Sequence, residues 1–193
     1  YNKSYYDIIN LMIDFGVDSM PGGGAEIFDE EVRKRICAGK VSSQNWLEIH
    51  KLWHQRGRKS NATMLFGHIE TRETSGFNAF IPLVYQTENN YLKVKEPVTA
   101  HEILKTIAIS RLLLDNIPNI KAYWATSTIK LALIAQEYGA NDLDGTIEKE
   151  AIQSAAGAAS KNGIDLSKFV SLIKNSGFTP IERDSIYNEL NVF

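Results

Sequence analysis

Pro21-Gly22-Gly23-Gly24-Ala25-Glu26 sets three residues without side chains next to a carboxylate, between a short apolar stretch and a helical pattern. Such a run lets backbone come close to a ligand while Glu26 accepts from its hydroxyl or amine groups. It matches neither GxGxxG nor GxxxxGK and lacks a phosphate-binding lysine, so it suits a polar ligand; a tight turn that merely needs the glycine dihedrals is the competing reading. His68 and Glu70 lie two apart and share a side if their strand continues. Histidine trades a proton near neutral pH and glutamate accepts hydrogen bonds, whereas a metal centre needs a further ligand; a polar strand cap is the alternative. His50 and His54 share a helix face like HExxH, but Lys51 stands where that motif has glutamate, and no third ligand is evident.

Further polar groups fall at other expected strand ends. Tyr85, Gln86, Glu88 and Asn89 can form a polar wall. Tyr123, Trp124, Thr126, Ser127 and Thr128 combine aromatic surface with hydroxyls at a helix start whose free amides favour an anion, a corner suited to an aromatic carboxylic acid. Asp142 and Asp144 can bind a ribose or base edge, or serve the helix after them. Arg183 offers forked donors to a carboxylate, although a surface ion pair is the commoner fate of an arginine.

Alternating helices and strands must position these groups. Apolar spacing predicts a helix over Tyr5 to Phe15, a strand over Val17 to Met20 and a helical region over Asp29 to Ile36. A third helix is capped by Ser42 or Ser43, has a Trp46, Ile49, Trp53 stripe and ends at Gly57. Strands follow from Asn61 to Phe66 and from Phe77 to Leu83. Thr99 with Glu102 is a capping box opening a helix to Asp115. Ile120 to Trp124 is a strand, Ser127 to Tyr138 a helix closed by Gly139, and Asp142 to Asp144 a short strand or loop. Thr146 caps a helix with a small-residue surface, Ala155 to Ala159, and Ser167 to Asn175 is the last full helix. This order describes an α/β fold with a parallel sheet, whose functional groups belong at the carboxyl ends of the strands.

The chain of 193 residues has 44% apolar content, enough for a packed core. Its 21 basic and 23 acidic residues are interspersed, giving a net charge of -2 and no nucleic-acid footprint. No run approaches the roughly 18 residues of a membrane span, so no membrane partner and a cytoplasmic location are expected. A single cysteine, Cys37, excludes an internal disulfide framework and any cysteine cluster within these residues. If the strands ending at Phe66 and starting at Phe77 are parallel neighbours, their crossover needs about a dozen residues or more and usually a helix. The interval has no helical pattern, so a segment is expected to be absent near 70–76 and the chain to be part of a longer one.

Asp18-Ser19-Met20-Pro21-Gly22-Gly23-Gly24-Ala25-Glu26-Ile27, Ala62-Thr63-Met64-Leu65-Phe66-Gly67-His68-Ile69-Glu70-Thr71, Ala79-Phe80-Ile81-Pro82-Leu83, Leu114-Asp115-Asn116-Ile117-Pro118 and Gly139-Ala140-Asn141-Asp142-Leu143-Asp144-Gly145-Thr146 occur in this order. Together they resemble the menaquinone branch of the radical S-adenosylmethionine superfamily, over nearly the whole chain. The resemblance implies the C-terminal part of a (β/α) TIM-like barrel, roughly strands four to eight, as a single domain over residues 1–193 with a C-terminal helical tail. The N-terminal part, with the three cysteines that bind a [4Fe-4S] cluster, would be absent from this chain, which alone would be inactive. The exposed sheet edge left behind would invite self-association into a homo-oligomer.

By the same resemblance S-adenosylmethionine is a co-substrate. Gly22, Gly23, Gly24 and Glu26 would lie by its ribose or methionyl part, Phe66 and Glu70 by the adenosyl portion, and Ile81 and Pro82 would give backbone contact to adenine. His68 would position the substrate or transfer a proton, and no metal ligand is assigned. The implied reaction joins the 5′-deoxyadenosyl radical to an aromatic enolpyruvyl ether, 3-[(1-carboxyvinyl)oxy]benzoate, with electrons from an external donor. Tyr123, Thr126, Ser127 and Arg183 would hold its ring and carboxylates. A ring-closing sister activity and a noncatalytic binding module are the alternatives.

Overall fold

The computed structural model describes residues 3–28, 30–65, 77–87, 96–147 and 163–193. Helix α1, Tyr5–Asp14, starts at a capping box in which Ser4 Oγ accepts from Asp7 N and the Asp7 carboxylate accepts from Ser4 N. Strand β1, Ser19–Met20, then precedes α2, Glu30–Ile36, and α3, Ser43–His54, which is capped by Ser42. Strands β2, Lys59–Leu65, and β3, Phe77–Leu83, come next. Helix α4, Ala100–Leu113, opens on the expected Thr99 and Glu102 box, and β4, Asn119–Ile120, follows it. Thr128 caps α5, Ile129–Ala135, which tightens into a 3-10 turn, Gln136–Tyr138, and stops at Gly139 with φ +100°. Asp165 caps α6, Leu166–Asn175, after which β5, Ile181–Arg183, and β6, Glu189–Val192, form a hairpin.

Strands β1, β2, β3 and β4 make a parallel sheet in that order. Ala62, Phe80 and Ile120 are in register and share a face, against which Ile103 and Ile107 of α4 and Ala132 of α5 pack. Asn61, Ala79 and Asn119 are in register on the other face, which also receives Thr63, Ile81 and, by alternation past Ile120, Lys121. This partial sheet flanked by helices fits the C-terminal portion of a TIM-like barrel. Beyond β4 the fifth expected strand is a single parallel bridge, Lys121 with Asp142. Arg111 fixes that bridge by donating to Gly139 O, Pro118 O and Asn141 Oδ1, and Asn141 Oδ1 also accepts from Ile120 N at 2.8 Å.

Three expectations change. The strand expected from Ile120 to Trp124 is reduced to the two residues of β4, Asn119–Ile120, because its next partner offers only the bridge at Asp142. In α3 the buried stripe is Trp46, His50 and Trp53, with His50 where Ile49 was expected. The tail is helical only through α6; beyond it Asp184 Oδ1 accepts from Ile186 N and Asn188 N, turning the chain into an antiparallel hairpin. Strands β2 and β3 are direct parallel neighbours, the condition on which the crossover argument rested, but the intervening 66–76 lie outside the described residues, as does the helix expected after Thr146.

His50 explains its own burial. Its Nδ1 lies 2.8 Å from Ser60 Oγ, and His54 Nε2 lies 2.7 Å from the same oxygen, while Trp46 stacks on the ring at 3.7 Å. Burial, with a smaller push from His54, lowers the His50 pKa from 6.5 to about 3. A depressed folded-state value means that the neutral ring stabilises the fold above pH 6.5 and that this contribution is lost as pH falls toward 3. Urea unfolding should show roughly 1–2 kcal/mol less stability at pH 5 than at pH 7, and His50→Phe should flatten that slope. Equal slopes in the two proteins would contradict the assignment.

Candidate active site

At the end of β1 the glycine run is shaped by one buried guanidinium. Arg33 of α2, 3% exposed, donates from Nη1 to Ala25 O and Ile27 O and from Nη2 to Gly24 O and Val41 O, with Nε also on Val41 O. Chain reversals leave carbonyls pointing inward, and a planar fork of donors can collect several of them at once. Gly22 has no room for a side chain, since a Cβ there would stand 2.7 Å from Asn61 O, and Thr63 Oγ1 donates to Gly22 O at 2.8 Å. The close approach that needs this glycine is therefore to β2. Gly23 faces open space, while its carbonyl accepts from Trp46 Nε1 at 3.3 Å.

Glu26 lies in the left-handed region at φ +45°, uncommon for a residue with a side chain. Its Oε1 accepts from Gly24 N at 3.1 Å and from Lys40 Nζ at 2.7 Å. The carboxylate is thus anchored through one oxygen beside the open Gly23.

Ile81 and Pro82 occupy the carboxyl half of β3, where pairing with β4 has already ended at Phe80 and Ile120. Pro82 has no N–H to give, in keeping with a ladder that opens there. Tyr123, Thr126 and Ser127 come together with Pro82 around a gap of about 10 Å³ under α4 and α5, room for no more than a water. Thr126 is buried, its hydroxyl donates to Tyr123 O, and Ser127 Oγ donates to the same carbonyl. Both hydroxyls serve the local turn. Phe66, His68 and Glu70 lie outside the described residues.

Past β4 a charged knot assembles. Asp142 Oδ2 accepts from Arg183 Nη2 at 2.6 Å, Arg183 Nε at 3.2 Å and Tyr187 Oη at 2.5 Å, and its Oδ1 accepts from Asp144 N at 3.1 Å. Lys121 Nζ stands 3.7 Å from Asp142 and makes its close contact with Asp144 Oδ1. Arg183 also gives Nη1 to Asp184 O and lies over the Tyr187 ring at 3.9 Å, so its fork is engaged inside the protein. Burial would raise the Asp142 pKa, but Lys121, Tyr187 and Arg183 outweigh it and hold the carboxyl below its ordinary range. For Asp144 burial wins over Lys121 and the value is pushed up. Trp124 Nε1 donates to Gly145 O at 3.0 Å and fixes the turn after Asp144.

Sequence reasoning missed Arg33, Lys121 and Tyr187. Lys121 carried a usable signal, a lone charge inside an otherwise apolar strand followed by Asp142 and Asp144. Arg33 carried none, being one of three basic residues in a row at the end of a short helix. Cys37 is buried with its thiol pushed up mainly by burial, and no group of three His, Cys, Asp or Glu able to hold a metal exists among the described residues. The residues present do not fit an iron–sulfur cluster.

Comparison with known proteins sets this arrangement in a family. Residues 74–192 match the model described as the CofH/MqnC C-terminal region. An aminodeoxyfutalosine synthase from Thermus thermophilus is 41% identical over 98% of this chain and 56% of its own length. A cyclic dehypoxanthine futalosine synthase from Streptomyces coelicolor is 38% identical over 92% and 48%. A 5-amino-6-(D-ribitylamino)uracil–L-tyrosine 4-hydroxyphenyl transferase from Methanosarcina barkeri is 35% identical over 91% and 51%. The chain thus spans about half the length of these relatives.

Replacing Arg33 by Met should strand the carbonyls of Gly24, Ala25, Ile27 and Val41 and cost about 3 kcal/mol or more in urea unfolding. A loss below about 1 kcal/mol would show that the loop holds its shape without the fork.

Proposed function

From membership of the CofH/MqnC family of radical S-adenosylmethionine enzymes of the futalosine route to menaquinone, to which this chain belongs, we propose that the intact protein is an aminodeoxyfutalosine synthase. It joins the 5′-deoxyadenosyl group of S-adenosylmethionine to the enolpyruvyl double bond of 3-[(1-carboxyvinyl)oxy]benzoate, releasing methionine from the broken C–S bond and one carboxyl as carbon dioxide on rearrangement, giving 6-amino-6-deoxyfutalosine. The observation that carries this reading is the 41% identity to the Thermus synthase across 98% of the chain. With Cys37 as its single cysteine, this chain cannot supply the three thiolates of the family's cluster.

Its own residues have three tasks. The Arg33-braced loop presents Gly23 and the anchored Glu26 carboxylate to the hydroxyl or amine groups of the co-substrate. The open end of β3, at Ile81 and Pro82, offers backbone to its adenine. Tyr123 with the turn of Thr126 and Ser127 shapes the aromatic corner, and Arg183 contributes by holding Asp142. Holding two reactants in attack geometry and keeping water out is work for rigid positioning, for which packed tips on a parallel sheet are suited. His68 remains our candidate for proton transfer and Phe66 and Glu70 for the adenosyl contact, all by family resemblance.

The cyclase is the second reading, favoured by the 38% identity to the Streptomyces enzyme. Product mass separates the two. Under anaerobic reducing conditions the intact protein should convert the enolpyruvyl ether into an adduct that retains the adenosyl group. Release of 5′-deoxyadenosine with ring closure of dehypoxanthine futalosine, and no adduct, would replace the first reading with the second. Glu26→Gln should weaken S-adenosylmethionine binding about tenfold, one charge-assisted hydrogen bond's worth; unchanged affinity by calorimetry would remove Glu26 from the co-substrate site.

A further inference from the structure

The knot past β4 balances two cations, Lys121 and Arg183, against two carboxylates, Asp142 and Asp144, and the two carboxylates are not equivalent. Asp142 is saturated, its Oδ2 taken by Arg183 and Tyr187 and its Oδ1 by Asp144 N. Asp144 has one close side-chain partner among these groups, the Lys121 ammonium. The lysine side chain is 6% exposed and the Asp144 side chain 21%, so Asp144 is the member of the pair that meets solvent. Asp144 also sits at φ +66°, a left-handed conformation that residues with side chains rarely adopt and that clusters at ligand sites. Its own N–H on Asp142 and the Trp124 bond to Gly145 keep it there. Lys121 shares its sheet face with Thr63, whose hydroxyl holds Gly22 O, so the pair belongs to the same end of the sheet as the glycine loop.

A second anion cannot join a balanced, buried knot without leaving a charge uncompensated, unless one resident carboxylate becomes neutral. Asp142 is held ionised by its partners, whereas burial already favours the protonated form of Asp144. Among the described residues, the groups facing Asp144 are Lys121 just past β4, Asp142 on the bridged segment, Arg183 of β5 and Tyr187 in the hairpin turn. The phenol of Tyr187 is pushed up by burial and by Asp142, so it stays protonated throughout.

We propose that Lys121 and Asp144 form an exchangeable anion site for an aromatic carboxylate: the ligand carboxylate takes the place of Asp144 at the Lys121 ammonium, and the displaced Asp144 takes up one proton from solvent. No covalent bond changes. The choice of ligand rests on the aromatic acid proposed above as substrate; the site itself rests on the geometry. Arg183 and Asp142 act as positioning residues, holding the lysine to one neighbour.

The test is titration calorimetry of the intact protein with 3-hydroxybenzoate, and with 3-hydroxybenzamide as the uncharged control, in buffers of different ionisation enthalpy. Wild-type protein should take up protons as it binds the carboxylate, and affinity should fall as pH rises above the Asp144 pKa, by up to about tenfold per pH unit. Asp144→Asn should bind the carboxylate at least as tightly with no proton uptake, and Lys121→Gln should lose about tenfold or more in affinity while binding the amide unchanged. Wild-type binding without proton uptake, an Asp144→Asn variant that keeps the wild-type pH dependence, or no carboxylate binding at all would each overturn the proposal. Proton-linked binding without any adenosyl adduct would sink the proposed reaction and leave this site standing; adduct formation with proton-independent binding would do the reverse.

Discussion

A buried guanidinium is the constraint on which the β1 end of the site depends. The chain must turn sharply after Met20 to reach α2, and the turn points the carbonyls of Gly24, Ala25 and Ile27 inward. Left alone each would cost about 1–3 kcal/mol, and Arg33 satisfies all three together with Val41 O. Gly22 can then lie on the β2 backbone, Trp46 can seal Gly23 O, and Glu26 can hold a left-handed dihedral that its side chain disfavours. Loop, α2 and α3 are one rigid corner because one side chain closes it.

The far side of the sheet, past β4, is built on the same physics with the charges reversed. Here a buried carboxylate, Asp142, gathers donors from the hairpin and from Lys121, tying a segment near the C-terminus to the end of a strand. Removing one partner of such a set leaves an uncompensated buried charge, which is why these contacts fix geometry more than they add stability. Parallel strands put both corners at the same carboxyl edge. The glycine loop and the charged knot thus flank the carboxyl half of β3, where its pairing with β4 has ended.

How much of this could be read in the residues follows the range of the forces involved. The capping box of Thr99 and Glu102, the stop at Gly139 and the alternation of helix and strand are short-range effects, and they were legible. The direct parallel pairing of β2 with β3 was only the condition of the crossover argument, since which strands become neighbours depends on contacts far apart in the chain. The two-residue β4 and the single bridge at Asp142 depend on partners elsewhere in the chain, so the periodicity that promised a strand from Ile120 to Trp124 overstated it. The hairpin from Ile181 to Val192 hides because its strands are mostly exposed; only Asp184 and Asn188 marked its turn. Arg33 and Arg183 illustrate the limit for sites. Whether an arginine meets a ligand, a carbonyl cluster or a carboxylate is decided by where distant backbone ends up.

Hydrogen–deuterium exchange of the intact protein with and without S-adenosylmethionine tests most directly the claim that the braced loop and the open end of β3 form one binding surface. Protection should appear together in peptides covering residues 21–28 and 79–84, with little change over α4 and α6. Protection confined to the helices, or a loop that exchanges identically with the ligand bound, would contradict it.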